Sequence, residues 1–294
     1  MNHLQRRALL LAATMALALV LSTGCRLCAG RAGVSSAPVT VAAAGDVCRY
    51  WCEVRTQPRP LRIHVLEMDL ASGRVGLEAL VAPDPDAAGP AEAGLVKPQA
   101  LLAGQLDVIA AVNANPFSGL PDDAGRRRSD WHAGMPVEIA GWACHQGRDI
   151  SQPQAGHDSF WIDGGLRAHA AVQGDAAQAR EAVAGFKMLL QDSQIVADGD
   201  PARHPRTAVG TDRDRQRVWL VVVDGRQPGY SEGVTCFELA GIMKTLGCRE
   251  ALNLDGGGSS VMFRADAHGQ LQVANRPSGG ETRPIPVLLV VRKK

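Results

Sequence analysis

Two runs, residues 218–223 and 285–291, are nearly unbroken series of apolar and largely β-branched side chains. A strand with one wet face alternates apolar and polar residues. A strand that is apolar throughout must be covered on both faces. The chain therefore has to build a central sheet buried on two sides. Further strands are predicted at 61–68, 75–80, 108–112, 251–254 and 260–263. One helix is marked at both ends: Thr235 and Glu238 form a capping box, Leu239, Ile242, Met243 and Leu246 recur at helical spacing, and Gly247 supplies a stop. Segments 97–105 and 175–184 are also predicted helical. A strand–helix–strand unit spans 218–254, and Pro/Gly/Ala-rich loops are expected at 82–94 and 118–130. The expected fold is α+β: a single mixed-sheet domain with few helices and its polar clusters at strand ends.

The N-terminus has its own pattern. Arg6 and Arg7 precede an apolar stretch, 8–21, interrupted only by Thr14. A basic start, a short apolar run and small residues after it describe a secretory signal. Leu21-Ser22-Thr23-Gly24-Cys25 is similar to a lipoprotein processing site, with Ser22 where an aliphatic residue is usual. The expected organisation is a lipoprotein-type signal at 1–24, a tether at 25–45 beginning at a lipidated Cys25, and a domain at 46–294. Plain signal cleavage is the alternative. Either places the protein outside the cytoplasm, lipid-anchored in the cell envelope or periplasmic.

A net charge of +1 carries no basic stripe of the kind nucleic acid requires, so no nucleic-acid partner is expected. Seven cysteines suit an oxidising compartment, and disulfides among them are expected. Cys236 and Cys248 flank the predicted helix and are too far apart to bridge. Cys248 reads as buried and inert.

The segment with most chemistry is Asn253-Leu254-Asp255-Gly256-Gly257-Gly258-Ser259-Ser260. A strand runs into an acid, three glycines and two hydroxyls. Such a turn lets backbone approach a ligand closely and can present successive N–H groups to an anion. It lacks the lysine and following helix of a Walker loop, and it is not a nucleophile elbow. A plain tight turn is the structural alternative.

Other segments extend the pattern: Asn113-Ala114-Asn115-Pro116 after a strand, His204-Pro205-Arg206-Thr207-Ala208, a strand ending in Asp224-Gly225, Asn275-Arg276-Pro277-Ser278, and a late Arg283. Taken in order, these motifs resemble the phosphodiester glycosidase family over roughly 108–291. The resemblance is strongest from His204 to Phe263 and weakest over 118–202, where Trp131, His132, Trp142 and His145 match no motif.

The resemblance implies hydrolysis of the bond between the anomeric carbon of an N-acetylglucosamine-like sugar and a phosphodiester oxygen, in envelope or exopolysaccharide-type material. It makes Asp255, Asp224 and Arg206 the candidate catalytic residues. Candidate substrate contacts are Asn113, His204, Thr207, Gly256, Gly257, Gly258, Ser259, Ser260, Asn275 and Arg283. Arg206 and Arg283 would take phosphate oxygens through their guanidinium forks, while Asp224 and Asp255, both ending strands, would share one rim. No cofactor is required, although the two aspartates leave Ca²⁺ open. Each residue also has a plain structural role open to it: a surface ion pair for Arg206, a turn for Asp224, a local backbone cap for Asn113. Two other activities stay open, a non-catalytic envelope lipoprotein that binds sugar phosphates or exopolysaccharide, and a phosphodiesterase that cleaves at phosphorus.

Overall fold

The strand Arg217–Val223 is apolar because both of its faces are buried. Val218, Leu220 and Val222 belong to one core, and Trp219, Val221 and Val223 to another. This follows from the two-residue alternation of a strand. In the computed structural model, which describes residues 47–87, 89–172 and 178–294, this strand lies within a seven-stranded sheet. The order is Cys48–Arg55, Leu61–Asp69, Arg217–Val223, Arg206–Thr211, Glu250–Asn253, Lys187–Gln191, Gln194–Ile195. One face shares its core with a five-stranded sheet ordered Leu271–Val273, Met262–Ala265, Val108–Asn113, Val287–Lys293, Val75–Val81. The other face carries the helix Cys236–Leu246, whose Leu239, Ile242 and Met243 are buried. Burial of those three side chains contributes roughly 5–8 kcal/mol.

The helix has the ends its sequence predicts. Glu238 N donates to Thr235 Oγ1 at 3.1 Å, Thr235 N donates to Glu238 Oε2 at 2.9 Å, and Gly247 adopts a left-handed φ of 97°. Arg59 fixes this N-terminus from another loop, donating to Glu238 Oε2 at 2.6 Å and to the Gly233 carbonyl at 3.1 Å. The strand–helix–strand unit exists with one strand inserted. Arg217–Val223 and Glu250–Asn253 each pair antiparallel with Arg206–Thr211 between them, so the helix crosses over that middle strand.

The domain is mostly strand with few helices, and several expectations are corrected. Residues 179–184 form a strand, Ala179–Ala184, paired with Ser159–Asp163, while 175–177 lie outside the described residues. The helix expected at 97–105 is one short turn, Pro98–Leu102. A second five-stranded sheet, ordered Ala168–Ala171, Ser159–Asp163, Ala179–Ala184, Ala143–His145, Arg148–Ser151, was not legible in the sequence. Its strands are short, and in the alanine-rich Ala168–Ala171 and Ala179–Ala184 pairing with neighbours overrides helical preference. A three-stranded sheet, Ala93–Gly94, Pro136–Ile139, Phe117–Gly119, completes the set.

Among the described residues no cysteine is bridged: Cys48, Cys52, Cys144, Cys236 and Cys248 are free. The three most buried, Cys48, Cys144 and Cys248, sit in three separate hydrophobic clusters, which keeps them apart. Burial pushes the Cys248 thiol well above its ordinary range. Cys25, Cys28, the signal and the tether lie outside the described residues. No helix among the described residues is long and apolar enough to cross a membrane.

Candidate functional site

The glycine loop leaves the strand Glu250–Asn253 and is held by Asn113, the last residue of the strand Val108–Asn113 in the facing sheet. Asn113 Oδ1 accepts from Thr207 Oγ1 at 2.7 Å and from Val261 N at 3.0 Å. Its Nδ2 donates to the Asp255 carbonyl at 2.6 Å. One buried amide thus joins both sheets to the loop. Asp255 N donates to the Ala114 carbonyl, and Gly257 N to the Pro205 carbonyl, each at 2.9 Å. Asn113 and Thr207 are buried and direct their side-chain polar atoms into these bonds, so they shape the loop and do not face solvent.

Two of the glycines have a specific reason to be glycine. Gly257 has φ +61°, and a Cβ there would meet Arg226 Nη1 at 3.2 Å. A Cβ on Gly258 would stand 2.2 Å from Arg283 Nη2. The loop therefore lets two guanidinium groups lie against its backbone. Arg226 comes from the turn after Asp224-Gly225 and is itself in the left-handed region, with φ 59°. Its Nη2 donates to His204 Nδ1 at 3.1 Å, which requires a neutral imidazole. Burial and the charges of Arg226 and Arg206 hold His204 below its usual pKa. Arg283 Nη1 lies 3.5 Å from Ser259 Oγ. Burial, together with the neighbouring Arg226 charge, lowers the Arg283 pKa against the opposing pull of Asp255.

Asp255 is half-buried and accepts from Gly256 N at 2.9 Å. Loss of solvent pushes its carboxyl up to about 6, against the lowering effects of Ser259, Gly256 N–H and Arg283. A carboxyl whose pKa is raised to about 6 beside the Arg283 guanidinium can accept a proton or stabilise positive charge. Arg226, Gly258, Arg283, Trp131, Lys97 and Ser278 are among the lining of an open cleft of about 690 Å³. Asp255 is not itself part of that lining; Arg283, which is, acts on its charge. Trp131 is held edge-on by Phe117, with ring centroids 5.0 Å apart.

Asp224 leaves its strand at the same end of the sheet as Asp255 but is enclosed by different partners. The strand Arg206–Thr211 separates the strands that precede the two aspartates. Asp224 is buried, and its carboxylate accepts from Asn275 Nδ2 at 2.9 Å, Arg276 N at 3.1 Å, Tyr230 Oη at 3.3 Å and His64 Nε2 at 3.3 Å. Burial pulls the His64 pKa down, but its hydrogen bonds to Asp224 and Cys52 outweigh this and bring it up to about 9. As an imidazolium, His64 donates to Asp224 and, through Nδ1, to the Tyr50 oxygen at 2.8 Å. Asn275 also clamps the loop exit: its Nδ2 reaches the Ser260 carbonyl at 3.2 Å and its Oδ1 accepts from Met262 N at 2.9 Å. Asp224 and Asn275 therefore form an internal brace.

Arg206 is also turned away from the cleft. Its Nε donates to the Val234 carbonyl at 3.3 Å and its Nη2 to the Ala202 carbonyl at 3.2 Å. It lines a separate pocket of about 350 Å³ with Lys187, Asp198, Asp200, Cys236 and Asn253. Strand alternation explains this, because Arg206 and Thr207 must point to opposite faces. Arg226 occupies the position beside the loop that the sequence suggested for Arg206. Ser259 is buried beneath Arg283, and the buried Ser260 Oγ has no hydrogen-bond partner among the described residues. Among the described residues, no group of three or more His, Cys, Asp or Glu side chains is arranged to hold a metal ion. Sequence reasoning missed Arg226, His64 and Tyr50. The available signal for His64 was a lone polar residue inside an apolar strand; Arg226 gave none, because its backbone angle cannot be read from residue type.

A strand-rich domain with a glycine loop carrying two guanidiniums and a perturbed carboxylate offers a cationic surface suited to an anion. The phosphodiester glycosidase family model matches residues 107–292, and the chain belongs to that family of glycosidase-type hydrolases. No match was found among curated proteins. Among solved structures, the catalytic domain of zebrafish N-acetylglucosamine-1-phosphodiester alpha-N-acetylglucosaminidase, auto-inhibited by its pro-peptide, is similar in fold. Its TM-score is 0.59 at 18% identity, covering 88% of each chain. A hypothetical protein from Synechocystis is similar with a TM-score of 0.54 at 14% identity, covering 84% of this chain and 62% of that one.

Proposed function

We propose that the protein hydrolyses the glycosidic bond of a sugar-1-phosphodiester, with an N-acetylglucosamine-like sugar, in envelope or exopolysaccharide-type material. The observation that carries this reading is the pair of guanidiniums, Arg226 and Arg283, lying against the glycine loop next to Asp255. The phosphodiester anion sits between the two arginines, which bind its oxygens most strongly as charge builds on the departing phosphate. The C1–O bond breaks with its electron pair leaving on the phosphomonoester, and water adds at C1. Asp255, as the carboxylate, stabilises positive charge at C1 and accepts the proton of the attacking water. Trp131 forms a flat apolar wall of the same cleft and suits the CH face of a sugar ring. The guanidiniums supply the positive charge, so chelation of divalent metals leaves turnover unchanged. The proposed location is outside the cytoplasm, through the signal at 1–24 and a lipid on Cys25.

Product analysis on a methyl phosphodiester of N-acetylglucosamine 1-phosphate tests the reading. Free sugar plus intact methyl phosphate is expected. Sugar phosphate plus methanol would move cleavage to phosphorus, and binding without turnover would make the protein a sugar-phosphate-binding lipoprotein.

A further inference from the structure

At the end of the seven-stranded sheet remote from the glycine loop, four arginines converge. Arg167, Arg213, Arg215 and Arg249 line one concavity of about 470 Å³, with Asp214 as its single acid and Gln216 beside them. Among the described residues, Arg167, Arg213 and Arg215 make no ion pair, while Arg249 pairs with Asp192 and Glu250. In a chain of net charge +1 this is a local excess of positive charge.

The arrangement is held by backbone. Asp212 Oδ1 accepts from Gln216 N at 3.0 Å and Arg217 N at 3.1 Å, which fixes the hairpin turn. Arg215 sits in the left-handed region, with φ 61°, a conformation an arginine adopts at a cost of about 1 kcal/mol. Its carbonyl accepts from Ala168 N at 2.8 Å, tying this hairpin to the one that carries Arg167. Arg249 N donates to the Thr211 carbonyl at 2.8 Å, which brings the fourth arginine to the same edge. Like charges held together by rigid turns repel one another until an anion neutralises them. Guanidiniums match phosphate oxygens better than any other side chain does.

We infer that this concavity is a second anion site, which holds phosphate groups of a phosphodiester-linked glycan chain while another part of the chain occupies the Arg226–Arg283 cleft. The inference rests on the proposed function for its choice of glycan. The two sites lie at opposite ends of the strands Arg206–Thr211 and Glu250–Asn253. At about 3.3 Å per residue, that is a span of roughly 20 Å, which a polymer of several repeats bridges and a single repeat does not. Tethering at a second site raises the local concentration of cleavable bonds without any new contact in the cleft.

The test uses the full chain, as wild type and as the Arg167→Gln/Arg213→Gln/Arg215→Gln variant. Affinity for poly(N-acetylglucosamine 1-phosphate) is measured at 4 °C from 50 to 200 mM NaCl, alongside kcat/KM on the monomeric methyl diester. The triple variant is expected to bind polymer about 10- to 100-fold more weakly at 50 mM NaCl, with a flatter salt dependence. Its kcat/KM on the monomer is unchanged. Arg167→Gln alone, on the other hairpin and outside the strained turn, gives a smaller loss of the same sign and guards against misfolding. Unchanged polymer affinity in the folded triple variant overturns the inference. So does tighter arginine-dependent binding to phosphatidylglycerol vesicles than to the polymer. If neither substrate is cleaved but polymer binding still needs the arginines, the proposed hydrolase fails and the second site stands.

Discussion

Asp255→Asn should make the protein more stable and nearly inactive at the same time. The Asp255 carboxyl has its pKa raised from 3.8 to about 6 by loss of solvent. Because the folded-state pKa is the higher one, its contribution to stability is fully present below about pH 4 and is lost as pH rises through about 6. Above pH 7 the folded protein therefore carries a poorly solvated charge whose penalty is at most about 3 kcal/mol, taking roughly two pKa units at 1.36 kcal/mol each. Asparagine removes the charge and keeps an oxygen for the Gly256 N–H. The variant should melt about 3–10 °C higher than wild type at pH 7.5, and the gap should close as pH falls toward 4.5. Its kcat should drop at least about a hundredfold, as when a group that stabilises transition-state charge is lost. Paired thermal melts across pH 4.5–8, with kcat measured on the same samples, check both arms. An asparagine variant that is less stable than wild type at pH 7.5 would refute the desolvation argument, and one with full activity would remove Asp255 from the chemistry.

The remaining expectations separate cleft from brace. Arg283→Ala and Arg226→Ala should each weaken inhibition by inorganic phosphate about 10-fold or more and lower kcat/KM, whereas Arg206→Ala, whose guanidinium serves two carbonyls elsewhere, should change kcat/KM less than about threefold. Asn113→Ala orphans the Thr207 hydroxyl, Val261 N–H and Asp255 carbonyl together, so it should cost about 3–5 kcal/mol in denaturant melts. His64 has a folded pKa of about 9 against 6.5 for the free side chain, so the stability it contributes is complete below about pH 6.5 and disappears through pH 9. Wild type should lose up to roughly 3 kcal/mol over that window and His64→Gln should not, as urea titrations at several pH values would show.

Sequence by itself determined the elements whose signals are local. The strand Arg217–Val223 had to be central because no other environment accepts six apolar side chains on alternating faces. The helix Cys236–Leu246 was bounded by residues that cap it through their own backbone. The glycine loop and its neighbouring motifs were visible because they are contiguous in the chain, and they led to the family. Tertiary structure decided the rest. Asp224 and Asp255 both follow strands, yet only sheet order shows that a third strand separates them and that His64, Tyr230 and Asn275 enclose Asp224. Arg206 stood within one of these motifs in sequence, but strand alternation turned it to the far face. Arg226, held in a left-handed turn, came to rest on Gly257 instead. Side-chain direction depends on pairing register and on backbone angle, and neither is a property of residue order alone. The contacts that select both join residues more than a hundred positions apart, as Asn113 does when it holds Val261.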